Sequence, residues 1–269
     1  MAVPASRETG APGPGVGEFS FDGREASALL IHGLTGSPYE MRYLGERIAQ
    51  SGVRARGVGL AGHGGSPEDL ARTGFEDWYQ SAEQGFDELR SHGDPVVAVG
   101  LSMGAVLAAR LACERSDEVA GVAMLASAFY LNRSAEFALA IARYFGPFAR
   151  RFHLAGNGPD IADPETRRVY PRVTLMPVAA ALELTQLSAH VREKLDNIRG
   201  PAIIVHSRQD HVCPYRRNVS LLMRRLAVPD KRLVTLEESF HVVTVDRERE
   251  RVAGEVVAFL KKCRFLKRA

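Results

Sequence analysis

Cysteine is scarce in this chain. Cys113, Cys213 and Cys263 are the only three in 269 residues; they lie far apart, form no C-x-x-C pair and match no metal-ligand spacing. That pattern excludes a disulfide framework and a cysteine-built metal centre, and free thiols in a reducing compartment are the simplest reading. Long apolar runs are missing too. None approaches ~18 residues, so neither a transmembrane helix nor stable membrane insertion is expected. No charge of one sign dominates, with 35 basic against 32 acidic residues and a net charge of +3. Nucleic acid is therefore not an expected partner, and the local cluster of Arg143, Arg150, Arg151, Arg167 and Arg168 reads as a solvated face. Residues 1–17 hold Pro, Gly, Ala and Ser without an apolar core, so they read as a disordered lead-in rather than a signal peptide. The cytoplasm is the expected location. There is no internal repeat.

What is present is an alternation of short apolar segments and amphipathic ones. Ala26–Ile31, Val53–Val58, Pro95–Val99, Val119–Leu125, Pro201–His206 and Arg232–Leu236 read as strands, most of them buried on both faces. Helices are expected between them: from Ser37, as N-cap with Pro38 in first position, to Gly52; over 75–91; from Met103 to Arg115; over 215–226; and from about Asp246 to Phe265. Glu18–Gly23 reads as half a hairpin. Such alternation implies a mostly parallel central sheet with helices on both faces. It stops at residue 129. Residues 129–197 show no clear strand and read as a helical cap insertion, which leaves 18–128 and 198–269 as the core.

Gly100-Leu101-Ser102-Met103-Gly104 fits G-x-S-x-G between an apolar strand and an Ala- and Leu-rich helix. A serine there sits on a sharp turn, with its hydroxyl pushed clear of the sheet at a helix N-terminus. A serine hydroxyl needs a base, and the base an orienting acid, here in the chain order Ser, Asp or Glu, His. Of eight histidines, only His241 lies between the last strand and the last helix. Asp210 follows its strand, whereas Asp196 precedes it. All three candidates fall at the carboxyl ends of strands, where ligands gather in such sheets. Two backbone donors are needed for the oxyanion. The N–H of Met103, directly after the serine, and that of Leu34, in the loop His32–Gly36, are the candidates.

Together these segments resemble the α/β-hydrolase superfamily, and within it the compact carboxylesterases and monoacylglycerol lipases. The resemblance rests on Leu30–Pro38, Gly62-His63-Gly64-Gly65-Ser66-Pro67, Gly100–Gly104, Asp210 with Val212 and Pro214, and Ser239–Val243. It spans about 18–262; Cys213, beside the proline after the acid, is a small departure, and 129–197 matches only loosely. It implies an α/β-hydrolase fold, hydrolysis of a small-molecule ester without metal or cofactor, and a helical cap over the acyl pocket. Phe129, Phe137, Ile141, Phe145, Phe148 and Leu154 are expected to wall that pocket and to favour a medium to long apolar acyl chain.

The same site would serve a thioesterase, an acyltransferase, a perhydrolase or a slow-turnover ligand receptor. Gly57–Gly62 matches G-x-G-x-x-G but runs into a loop rather than opening a helix, which argues against a dinucleotide. His206, Asp210 and His211 lack a further spaced metal ligand.

Overall fold

The computed structural model describes residues 16–155, 158–171 and 175–263. Most of the expected lead-in, and the end of the last expected helix at Phe265, lie outside these residues.

In chain order the elements are β1 (Phe19–Phe21), β2 (Ser27–Ile31), α1 (Tyr39–Gln50), β3 (Arg54–Val58), α2 (Pro67–Ala71), α3 (Phe75–Arg90), β4 (Val96–Leu101), α4 (Met103–Glu114), β5 (Val119–Leu125) and α5 (Arg133–Tyr144). There follow β6 (His153–Ala155), α6 (Pro164–Val169), β7 (Leu175–Pro177), α7 (Val178–Lys194), β8 (Ala202–Ser207), α8 (Tyr215–Arg225), β9 (Lys231–Leu236) and α9 (Arg249–Cys263). Seven strands form one sheet in the order β1-β3-β2-β4-β5-β8-β9. Every pairing in it is parallel except β1 with β3.

The sheet is buried on both faces, which is why its inner strands read as unbroken apolar runs. Leu29, Ile31, Val96 and Ala98 point into the cluster shared with α3 and α4. Their neighbours Leu30, Val97 and Val99 point the other way, toward α1 and α9. Helix α4 is buried from Met103 to Cys113 because α3 and α7 cover what the sheet does not. A helix apolar on all sides belongs at such a centre.

Three expectations need correction. Phe19–Phe21 is not half of a hairpin with the next strand; it pairs antiparallel with β3, Phe19 opposite Gly57. A β1–β2 hairpin would leave β3 without its outer partner. Helix α1 starts one residue late, with Pro38 rather than Ser37 at the N-cap and no side-chain cap. The segment 129–197 is not strand-free, since β6 and β7 pair antiparallel, Leu154 opposite Met176. Strands of three residues carry too few positions for a period-two pattern to show.

Helix α7 lies inside that segment yet belongs to the main core. Leu184, Leu187 and Val191 pack in the same cluster as α4. Phe129 joins that cluster too. The outer part of the segment behaves differently: Phe137 is 69% exposed and Phe148 62%, and Ile141 and Phe145 are also exposed. These four were expected to face a pocket. Phe137 and Ile141 point to solvent because α5 has two apolar sides and its inner side is the one carrying Leu139; Phe145 and Phe148 lie beyond the end of that helix.

Candidate active site

Ser102 follows β4 and precedes α4 with φ +57° and ψ −116°. This is a rare conformation for a side-chain-bearing residue, and such outliers persist only where surrounding structure enforces them. Here the enforcement is visible. Ser102 N–H donates to Leu125 O at 2.9 Å, and Ala128 N–H donates to Ser102 O at 3.2 Å. The flanking glycines are sterically required. A Cβ on Gly100 would lie 2.0 Å from Gly104 O, and one on Gly104 2.1 Å from Ile31 O.

Ser102, His241 and Asp210 converge from three separate loops. Ser102 Oγ lies 2.8 Å from His241 Nε2, and His241 Nδ1 lies 2.8 Å from Asp210 Oδ2. A carboxylate only accepts, so Nδ1 carries the ring proton and Nε2 is left to accept from the hydroxyl. Asp210 Oδ1 accepts the N–H groups of Val212 at 2.9 Å and Cys213 at 2.7 Å. Burial opposes ionisation of Asp210, but His241, then the hydrogen bonds from His206 and His241, hold its pKa well below the ordinary carboxylate range. For His241, burial pulls the pKa down and the Asp210 charge outweighs it, so the net direction is upward from 6.5.

Met103 and Leu34 are the residues whose backbone N–H groups were expected to meet an oxyanion. Met103 opens α4, and the first N–H groups of a helix have no intrahelical partner. Leu34 lies in the β2–α1 loop and lines the same cavity as Ser102 and His241. This cavity measures about 420 Å³ and is walled by Leu131, Ala135, Ala138, Leu139, Met176 and Leu184, among others. Of the residues expected to wall it, only Leu154 does so.

Four residues at this site were not expected there from the sequence, which offered His206 only as a rejected metal ligand. His206, fully buried, places Nε2 3.2 Å from Asp210 Oδ2 and 2.8 Å from Cys213 O. Both partners are acceptors, so Nε2 carries a proton and is a further donor to the acid. Asp160 supplies its backbone oxygen to His241 N–H at 3.0 Å and its carboxylate to His211. Glu40 and Tyr170 meet beside the His32–Gly36 loop. Only the pairing of distant loops reveals them. His32, fully buried, and His63, half-buried, are by contrast structural supports. Burial pushes His32 down to about 3 and His63 to about 4, and His32 Nε2 accepts Leu60 N–H.

Residues 23–248 match the family described as serine aminopeptidase S33 (Hydrolase_4). The chain belongs to this family. Its fold is that of the α/β-hydrolases. Among curated relatives it is similar to a thermostable monoacylglycerol lipase of Bacillus sp. (strain H-257), 31% identical over 92% of this chain and 95% of that one. It is similar also to a carboxylesterase of Bacillus subtilis (strain 168), 29% identical over 91% of this chain and 96% of that one. Among solved structures, one reported for the metagenome-derived lipolytic enzymes LipS and LipT superposes with a TM-score of 0.85 at 31% identity, covering 93% of this chain and 98% of that one. A monoacylglycerol lipase structure from Paleococcus ferrophilus, at 19% identity and a TM-score of 0.78, covers 91% of this chain and 98% of that one; it shares the fold.

In this hydrolase, no helix among the described residues is long and apolar enough to cross a membrane. No group of three or more His, Cys, Asp or Glu among them is placed to hold a metal ion.

Proposed function

We propose that this hydrolase cleaves a carboxylic ester of a medium to long apolar acyl chain and a small alcohol, through a covalent acyl-enzyme on Ser102. The observation that carries this reading is the hydrogen-bonded line Ser102–His241–Asp210 opening into an apolar cavity. Ser102 Oγ attacks the carbonyl carbon while His241 Nε2 takes its proton. Leu34 and Met103 N–H groups bind the oxyanion. The C–O bond to the alcohol breaks as His241 returns the proton to the leaving oxygen. Water then repeats the sequence on the acyl-enzyme and releases the acid. Asp210 keeps the imidazole in the productive tautomer and stabilises its cation.

We read 129–197 as the cap, with α5, β6, β7 and the start of α7 forming the acyl wall. Three buried free thiols fit a reducing, cytoplasmic setting. The family's description also raises peptide substrates. The apolar wall and the esterase and lipase relatives favour esters.

The test is a chain-length series of p-nitrophenyl esters and monoacylglycerols, run beside aminoacyl p-nitroanilides. A buried methylene contributes about 0.8 kcal/mol, so kcat/KM should rise by up to about fourfold per CH2 until the cavity is full. Constants that peak at acetate, or a preference for the anilides, would overturn the reading. A fluorophosphonate should add one mass to the Ser102 peptide, and Ser102→Ala should abolish it.

A further inference from the structure

Glu40 is a second buried carboxyl beside Ser102, on the side of the serine that faces the β2–α1 loop. It reaches back from the first turn of α1 into that loop. Its Oε2 accepts Gly33 N–H at 2.8 Å. Its Oε1 accepts the hydroxyl of Tyr170. The loop is shaped around it: a Cβ on Gly36 would lie 2.4 Å from Glu40 Oε2, and Gly36 N–H closes a turn on Gly33 O at 3.1 Å. Thr35, inside this turn, is held at φ +61°, an unusual value for a β-branched residue. The turn therefore needs a fastening, and the described contacts offer two. His32 donates through Nδ1 to Gly33 O at 2.9 Å, and Glu40 takes Gly33 N–H. Both grip the peptides around Gly33, next to Leu34.

Tyr170 comes from far along the chain, after α6 in the 129–197 segment. Its ring stacks edge-on against Tyr39 at 5.8 Å. Burial, then the Glu40 charge, drives its pKa well above 10, so it keeps its proton and stays a donor.

We propose that Glu40 is a positioning residue for ester hydrolysis. Its carboxyl fixes the His32–Gly36 loop in the form that aims Leu34 N–H at the developing oxyanion, and Tyr170 ties the seating of the cap to that donor. The inference rests on the ester-hydrolase reading above. It assigns Glu40 no contact with substrate and no proton transfer.

The test uses the full-length chain and an acyl-enzyme made from an arylacryloyl ester, whose carbonyl stretch reports hydrogen bonding to the carbonyl oxygen. Labelling of wild-type Ser102 comes first; without it the ester-hydrolase reading fails, and this inference with it. With labelling in hand, Glu40→Ala should lower kcat by on the order of 10²-fold, the size of a lost oxyanion donor, with KM within about threefold. Its carbonyl stretch should move to higher wavenumber, toward the value for the free ester. Glu40→Gln should restore most of kcat and of the stretch, because its amide oxygen still accepts Gly33 N–H while its NH2 donates to Tyr170 Oη. Tyr170→Phe, which keeps the Gly33 clamp, should cost kcat about tenfold, roughly the worth of one hydrogen bond to a charged group. Glu40→Gln and Tyr170→Phe preserve buried volume and carry the test should Glu40→Ala fail to fold. The inference is overturned, with the ester reading intact, by an acylating Glu40→Ala enzyme whose carbonyl stretch matches wild type. It is equally overturned by a Glu40→Gln enzyme as slow as a Ser102→Ala one, or by losses confined to KM.

Discussion

The buried imidazole of His241 lies against the buried carboxylate of Asp210, and the proposed mechanism makes this pair set the pH range of activity. In the proposed mechanism neutral His241 accepts the serine proton, so kcat/KM should fall on the acid side as His241 protonates. The sequence by itself suggests an unperturbed pKa near ~6.5 for that limb. The Asp210 charge, winning over burial, moves it upward. The acid limb of a pH–rate profile should therefore lie above 6.5, and Asp210→Asn should move it downward while lowering kcat by roughly 10⁴-fold through loss of the productive tautomer. His206 gives a finer prediction. It donates to the same Asp210 oxygen as His241. Removing it in His206→Ala leaves the carboxylate charge less dispersed and the imidazolium better stabilised. The acid limb should shift further up, by less than about one unit given ~1 kcal/mol for one hydrogen bond. His206→Gln should reverse most of the shift. A downward shift in His206→Ala would mean that His206 acts otherwise.

At the scale of elements, the β4–α4 turn and helix α5 make opposite demands on substitution. Gly104→Ala puts a methyl 2.1 Å from Ile31 O, a backbone atom with nowhere to go. Either β2 or α4 must move, so urea unfolding should show a loss of about 1–3 kcal/mol or more, with activity falling further as Ser102 shifts. Helix α5 separates two neighbours onto different sides. Ala138 lines the cavity, whereas Phe137 is exposed. Ala138→Phe should shorten the preferred acyl chain by several carbons in the p-nitrophenyl series. Phe137→Ser should leave the chain-length optimum of soluble esters where it is. The reverse outcome would return the exposed aromatics to the pocket wall.

For the whole molecule, the question is how the 129–197 segment and the rest of the chain stay in register around the serine. Asp246, 1% exposed, is the junction. Its carboxylate accepts N–H groups of Ala162 and Asp163 from the 129–197 segment at 2.9 Å each, and of Phe240 beside His241 at 2.7 Å. Asp160 O holds His241 N–H from the same stretch of chain. Asp246→Ala would leave several buried donors unsatisfied at once. It should cost on the order of 3 kcal/mol in thermal or urea unfolding, and kcat should drop together with stability because the base loop loses its anchor. An Asp246→Ala enzyme of wild-type stability would show that the junction is held by packing alone.

Much of this hydrolase is written locally. The strands around Ser102 are continuous apolar runs because both sheet faces are covered, and an apolar run is visible without knowing what covers it. The glycines at 100 and 104, the loop His32–Gly36 and the order Ser102, Asp210, His241 are equally local, since each depends on the geometry of one strand end. Sequence alone therefore located the fold, the turn and the three convergent side chains. Tertiary structure decided what depends on a partner far along the chain. The outer partner of β3 is β1, which closes over 30 residues. The faces of α5 were assigned by Leu139 finding a neighbour in α7, and no periodicity distinguishes two apolar sides. The roles of Glu40, Tyr170, His206 and Asp246 arise where buried polar groups from distant loops must satisfy one another. A carboxylate in a sequence carries no mark of which N–H groups it will meet, so that part of the site was settled only when the loops came together.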